Sequence, residues 1–214
     1  MVSPSMLSAD FLNLGKEIEM INNSDADWLH VDIMDGVFVP NLSFGFPVME
    51  SIAPVLKKPM DVHFMTVNPW DYIERTAKLG VMSMNVHVEV TKEKTADVIK
   101  KIHDAGMKAA LTISPDTPVE TLRPYILDIE MALVMGVYPG FGGQKFIEAT
   151  IDRIKELRKM IDETGSKTLI EVDGGVQGET APRLVAAGTD VLVSGSFVFK
   201  ANDPYQVIRQ LRAL

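Results

Sequence analysis

Histidines and carboxylates interrupt otherwise apolar runs of this chain at alternating positions. In Trp28-Leu29-His30-Val31-Asp32-Ile33-Met34, strand alternation puts His30 and Asp32 on one face. Met60-Asp61-Val62-His63-Phe64-Met65 does the same for Asp61 and His63. Ile170-Glu171-Val172-Asp173 pairs Glu171 with Asp173. Two histidines and two aspartates could therefore converge from three strands, a nitrogen-and-oxygen donor set that suits a divalent metal. Zinc, manganese, iron(II) and cobalt all fit such a set. Isolated polar residues at a rim are the bland alternative, but buried charges must be paired or coordinated. Asp61 and Glu171 lie one layer deeper and read as partners that orient the ligands. A fourth run ends Asn85-Val86-His87-Val88-Glu89; His87 fits either the site mouth or a structural hydrogen bond. His103 reads as a solvated residue in a last helical turn, favourable against the helix dipole.

Three glycine-rich segments could hold a phosphate. They are Pro139-Gly140-Phe141-Gly142-Gly143-Gln144, Asp173-Gly174-Gly175-Val176 and Ser194-Gly195-Ser196-Phe197. Glycine lets backbone N–H groups approach an anion closely. Tight turns use the same residues, but here three such loops follow three successive runs. Neither a P-loop lysine motif nor a Rossmann G-x-G-x-x-G in its strand–helix setting is present, so nucleotide binding is not favoured.

The elements that must position these groups are legible as a rhythm. Apolar runs fall at Val2–Met6, Trp28–Met34, Met60–Met65, Met82–Val88, Ala109–Ile113, Met131–Val137, Thr168–Val172 and Val191–Ser194. Helical patterns follow them at Phe11–Asn22, Phe46–Leu56, Pro69–Leu79, Lys92–Ala105, Val119–Leu127, Phe146–Glu163, Glu179–Ala187 and Pro204–Leu211. Gly80, Gly106, Gly165 and Gly188 stand where helices end. Thr117-Pro118 reads as an N-cap with proline at the first helical position. Strand–helix alternation predicts parallel strands. The expectation is an α/β fold: one (β/α)8 TIM barrel over residues 1–214, with an open doubly wound sheet as the fallback. Barrel active sites form at the C-terminal strand ends, and phosphate often binds near the last two strands.

Composition bounds the partners. The formal net charge is −8, which argues against a general nucleic-acid binder. It does not exclude a small phosphorylated substrate held by backbone donors. There is no cysteine, so a metal must use histidine, carboxylate or backbone oxygen. The first residues lack a basic segment followed by an apolar run, so no signal peptide is expected. No stretch approaches the ~18 apolar residues of a membrane span. A cytoplasmic location is the default expectation.

The segments Ser3–Phe11, His30–Gly36, Phe38–Asn41, Asp61–Met65, Pro139–Gln144, Glu171–Gly175 and Gly195-Ser196 resemble, in order and spacing, the ribulose-phosphate 3-epimerase family. The resemblance covers essentially the whole chain. It implies one divalent transition metal held by His30, Asp32, His63 and Asp173. It implies Asp32 and Asp173 as the acid/base pair and Ser5 and His63 as substrate contacts. It implies Met34, Met65 and Met135 lining the reaction chamber, where ordinary core packing is the alternative. The phosphate site would match Gly143, Gly175, Gly195 and Ser196, flanked by Gly140, Gly142 and Gly174. The implied substrate is a ketose phosphate, and a homo-oligomer is expected by resemblance.

Four residues depart from the family pattern. Gly136 and Tyr138 stand where serine and asparagine are usual, and Phe64 and Phe197 replace smaller or more flexible residues. Phe64 and Phe197 are expected to narrow the pocket. Rival readings are an allulose 6-phosphate epimerase, a non-catalytic sugar-phosphate-binding barrel, and a barrel lyase or decarboxylase. The lyase ranks low because no strand-end lysine is evident.

Overall fold

A computed structural model describes residues 1–214. The chain forms β1 (Val2–Pro4), α1 (Leu14–Asn23), β2 (Leu29–Met34), α2 (Phe46–Ile52), β3 (Met60–Met65) and α3 (Ile73–Ala77). Next come β4 (Ser83–His87), α4 (Val88–Thr91), α5 (Thr95–Asp104), β5 (Lys108–Ile113), β6 (Met131–Met135) and α6 (Thr150–Thr164). Then β7 (Leu169–Asp173), α7 (Ala181–Ala187), β8 (Val191–Ser194), α8 (Ser196–Phe199) and α9 (Pro204–Arg212) complete it.

Eight strands pair in parallel in the order β1-β8-β7-β6-β5-β4-β3-β2. The seam between β1 and β2 is closed by a single parallel bridge, Ser5 to His30. The expected barrel is therefore formed, and the open sheet is set aside. Its last closure falls beside the polar cluster.

Alternation explains the layers. Leu29, Val31 and Ile33 of β2, Val62 and Phe64 of β3, and Val86 of β4 all face outward. They merge with helix residues such as Ile18, Ile99, Ile154 and Leu184 into one apolar shell. The inward positions carry different cargo. At the strand starts, Trp28, Ala110, Met131 and Val191 plug the barrel. Above them the wall turns polar, with Asp61, His30, Glu171, Asn85 and Thr112 all completely buried.

Several boundaries shift for physical reasons. The expected helix Val119–Leu127 is a 3₁₀ segment, Val119–Tyr125, with Pro124 inside it. Proline cannot donate the α-helical bond there. Thr117 is not an N-cap: the segment has no side-chain cap, and the Thr117 hydroxyl instead donates to Glu89. The helical turns α4 and α8 have no counterpart in the sequence pattern, and α6 begins at Thr150 rather than Phe146. Gly80, Gly106, Gly165 and Gly188 do take positive φ at helix ends. His103 is over a third exposed and faces Glu130 across 3.0 Å.

Phe64 corrects the expectation about the pocket. It is wholly buried and stacks on Tyr72 with ring centroids 5.8 Å apart. It faces the helix layer because β3 alternates, so it does not narrow the site. A buried phenylalanine of this kind is worth about 3–5 kcal/mol against alanine.

The ends of the chain are tied through Asp27. Its Oδ2 accepts from Val2 N at 2.9 Å, and Arg212 of α9 sits 3.2 Å away. Burial pushes the Asp27 carboxyl up, but Arg212 and the Val2 amide outweigh it and lower its pKa. A carboxyl with a lowered folded pKa stabilises above its unfolded value near 4, and that stability is lost as pH falls through the folded value. Acid titration of unfolding should therefore show a wild-type loss below about pH 4 that Asp27→Asn reduces. Identical acid profiles would contradict this tie.

Candidate active site and metal centre

The parallel register places the expected residues side by side. His30 pairs with Asp61, Asp32 with His63, and Met34 with Met65. Met135 pairs with Asp173 across β6 and β7. Each pair points inward at the C-terminal half of the barrel, and the polar groups therefore converge.

One ligand atom from each of His30, Asp32, His63 and Asp173 lies within 4.8 Å of every other. His30 Nδ1 is 2.7 Å from Asp61 Oδ2. Asp61 in turn accepts from the Ser83 hydroxyl and, at 2.8 Å, from Asn85 Nδ2. This clamps the His30 ring and leaves its Nε2, completely buried, with no hydrogen-bond partner. That nitrogen is 3.4 Å from Asp32 Oδ1. His63 Nδ1 is 3.2 Å from the same oxygen and 3.9 Å from Asp173 Oδ2. An orphaned buried nitrogen facing two carboxylates fits a cation, and the cluster can hold a metal ion.

The electrostatics divide the two aspartates. Burial pushes Asp32 up, but His30 and His63 outweigh it and hold its carboxyl well below the usual range. Burial and the Asp32 charge push Asp173 up, to about 7. Burial lowers His30, yet Asp32 and Asp61 raise it well above the usual histidine value. Burial, and after it the charge of Asp61, push the Glu171 carboxyl well above the usual carboxylate range.

A cavity of about 570 Å³ opens above this cluster. Ser5, Asp32 and Asp173 reach it from the barrel, and Met34, Met65 and Met135 form apolar wall. Gly140, Gly142, Gly143, Gly174, Gly175, Gly195 and Ser196 all line it as well. His30 and His63 lie beneath the aspartates and do not line it. Ser5 Oγ donates to Asp32 Oδ2 at 2.6 Å. Phe197 lines the cavity as expected, whereas Phe64 does not. Tyr138 is half exposed and donates to Asp116 at 2.9 Å. Gly136 has a packing reason: a Cβ there would meet Gly174 O at 2.2 Å.

Gly174 is required by shape as well as by any ligand. Its φ is +102°, and a Cβ would come within 2.4 Å of the Val137 side chain. The β7 loop thus passes close under the β6 loop. Asn41 Nδ2 donates to Gly140 O at 2.7 Å, which links the β2 and β6 loops over the mouth.

Two groups escape a reading of the sequence. Asp35 accepts from Val37 N, Phe38 N and Val67 N, and so ties the loops after β2 and β3. Glu89 faces His87 at 2.9 Å, and His87 in turn faces His63 at 2.9 Å. The signal for Glu89 is present in His87-Val88-Glu89, but a strand reading does not predict the α4 turn that folds Glu89 back. No helix is long and apolar enough to cross a membrane.

Comparison with known proteins gives a consistent picture. Residues 1–199 match the model of the ribulose-phosphate 3-epimerase family. The ribulose-phosphate 3-epimerase of Bacillus subtilis is 44% identical, covering 99% of this chain and 97% of its own. The cytoplasmic isoform from Oryza sativa subsp. japonica is 42% identical, covering 99% and 92%. Among solved structures, KGPDC from Streptococcus mutans aligns with a TM-score of 0.76 at 13% identity, covering 99% and 95%. A mutant tryptophan synthase alpha-subunit from Pyrococcus furiosus aligns with 0.73 at 13%, covering 100% and 97%. Those two likenesses speak for the fold alone. Sequence and site together assign the family: this chain belongs to the ribulose-phosphate 3-epimerases.

Proposed function

We propose that this chain interconverts D-ribulose 5-phosphate and D-xylulose 5-phosphate by proton transfer at C3. The observation that carries this reading is the pair Asp32 and Asp173 at one cavity floor, with acidities pushed in opposite directions. Two carboxylates whose environments separate their pKa values can serve as base and acid at once.

Asp32, held ionised, accepts the C3 proton from one face of the substrate. Asp173, whose carboxyl burial and the Asp32 charge push up to about 7, returns a proton to the other face. The roles exchange in the reverse direction. Ser5 donates to Asp32 Oδ2 and fixes the carboxylate's orientation. Met34, Met65 and Met135 keep water from the reacting carbon. The glycine loops hold the phosphate through backbone N–H groups and so set C3 between the two acids.

His30, Asp32, His63 and Asp173 would hold one divalent cation, whose Lewis acidity stabilises negative charge developing on the substrate oxygens. Two imidazole nitrogens with two carboxylate oxygens favour a transition metal such as zinc, iron(II), manganese or cobalt over magnesium or calcium.

The direct test is incubation with D-ribulose 5-phosphate in deuterated water, followed by NMR at C3. Deuterium at C3 together with xylulose 5-phosphate is expected. Tight binding of the substrate with no C3 exchange would sink the reading in favour of a binding module.

A further inference from the structure

His63 and His87 face each other through their Nε2 atoms at 2.9 Å, and both rings are completely buried. Two neutral ring nitrogens at that distance share one proton, so one donates and the other accepts. The far nitrogen of His87, Nδ1, lies 2.9 Å from Glu89 Oε2. The other Glu89 oxygen accepts from Ser114 N at 2.7 Å and from the Thr117 hydroxyl. Burial opposes ionisation of Glu89, but His87 and these donors outweigh it and hold its pKa at about 2.

An ionised carboxylate only accepts. His87 therefore carries its proton on Nδ1 and offers a lone pair on Nε2. His63 must then donate from Nε2, which leaves the lone pair on its Nδ1. That atom lies 3.2 Å from Asp32 Oδ1, a second carboxylate acceptor that draws the proton the other way. Asp32 already accepts from Ser5 Oγ at 2.6 Å, and its contact with His63 is longer than the 2.9 Å between Glu89 and His87, so the order set by Glu89 prevails. Ser114 Oγ, 3.4 Å from His87 Nδ1, can accept from the same N–H without altering this order. Phe38 packs on the His87 ring with centroids 4.6 Å apart and holds it in register.

We propose that Glu89, acting through His87, is a positioning residue that selects which ring nitrogen His63 presents to the cation cluster. The proposal rests on the reading of that cluster as a metal site. It assigns Glu89 a role two residues removed from the ligands, reached from the β4–β5 side of the barrel. His30 is oriented separately by Asp61, so the two histidines have independent supports.

Glu89→Gln tests it. The amide oxygen keeps the Ser114 and Thr117 bonds, which turns the NH₂ group toward His87 Nδ1. The relay then reverses, and His63 is protonated on Nδ1. Nitrogen-15 NMR of the histidine rings in metal-free protein reads the tautomer directly. Competition with a chelator reads Zn²⁺ affinity. Wild type should show His63 protonated on Nε2. Glu89→Gln should move that proton to Nδ1 and weaken Zn²⁺ binding about tenfold or more. Thr117→Val, which removes one donor but keeps the carboxylate, should retain the wild-type tautomer.

A wild-type His63 protonated on Nδ1 overturns the proposal, as does a Glu89→Gln protein with tautomer and affinity both unchanged. If Glu89→Gln fails to fold, the wild-type tautomer decides alone. Absence of Zn²⁺ binding in wild type would count against the metal reading, while the tautomer would still judge the relay.

Discussion

Asp173→Asn should lower kcat by about 10³-fold while the protein still folds, because general acid–base contributions fall in the range of 10²–10⁴. Asp32→Asn should lose at least as much. It also removes the anion that His30 and His63 both face and leaves one acceptor oxygen where Ser5 Oγ and the two rings now share two. The two variants should nevertheless differ. With one carboxylate left, exchange of the C3 proton with solvent should persist in one epimer and vanish in the other. Metal content measured beside each rate separates loss of an acid from loss of a ligand. Near-normal kcat in either variant would refute the two-base assignment.

Stability gives Asp173→Asn a second readout. Burial and Asp32 raise the Asp173 pKa to about 7. A carboxyl raised in the folded state stabilises it at low pH and loses that contribution as pH rises through the folded value. Above about pH 7 the metal-free wild type therefore carries a destabilising charge that asparagine lacks. Metal-free Asp173→Asn should melt at or above wild type there, and melting well below would contradict the assigned environment.

Metal removal should have the other large effect. Dialysis against a strong chelator should abolish turnover, and a transition metal should restore it where magnesium does not. Binding to the folded state alone stabilises by about 4 kcal/mol at a thousandfold excess over Kd. For a chain of this size that corresponds to roughly 8–16 °C in melting temperature. The shift has a local cause. Without metal, the buried cluster must take a proton on His30 or leave its Nε2 unpartnered. Full activity after verified removal would end the metal reading, and an unchanged melting curve would show that the cluster is satisfied without a cation.

The Glu89–His87 relay adds a view of how the barrel supports such a cluster. His30 rests on Asp61, Ser83 and Asn85, below the site. His63 rests on His87 and Glu89, beside it. One support comes from inward strand positions, the other from the first turn after β4. Both end in a carboxylate whose remaining lone pairs are used by neighbouring donors. A histidine ligand is oriented only when its second nitrogen is committed.

The barrel and the identity of the converging residues are written in the order of residues along the chain. Alternation with a period of two sends His30, Asp32, Asp61, His63, Glu171 and Asp173 inward, and nothing later in folding can reverse that parity. The glycines at helix ends are equally legible, because only a residue without a side chain takes the left-handed conformation cheaply. Other features exist only once the chain has closed, because parity and propensity leave them open. Interstrand register puts Asp32 beside His63, and no local pattern encodes register between separate segments. The α4 turn brings Glu89 back to His87, and Thr117 is drawn from capping a helix to serving that carboxylate. Phe64 is legible by the same parity as its neighbour: beside inward His63 it must face the helix layer, although its place in a motif suggests the pocket. The opposite acidities of Asp32 and Asp173 arise only from which charges lie near each in the folded barrel.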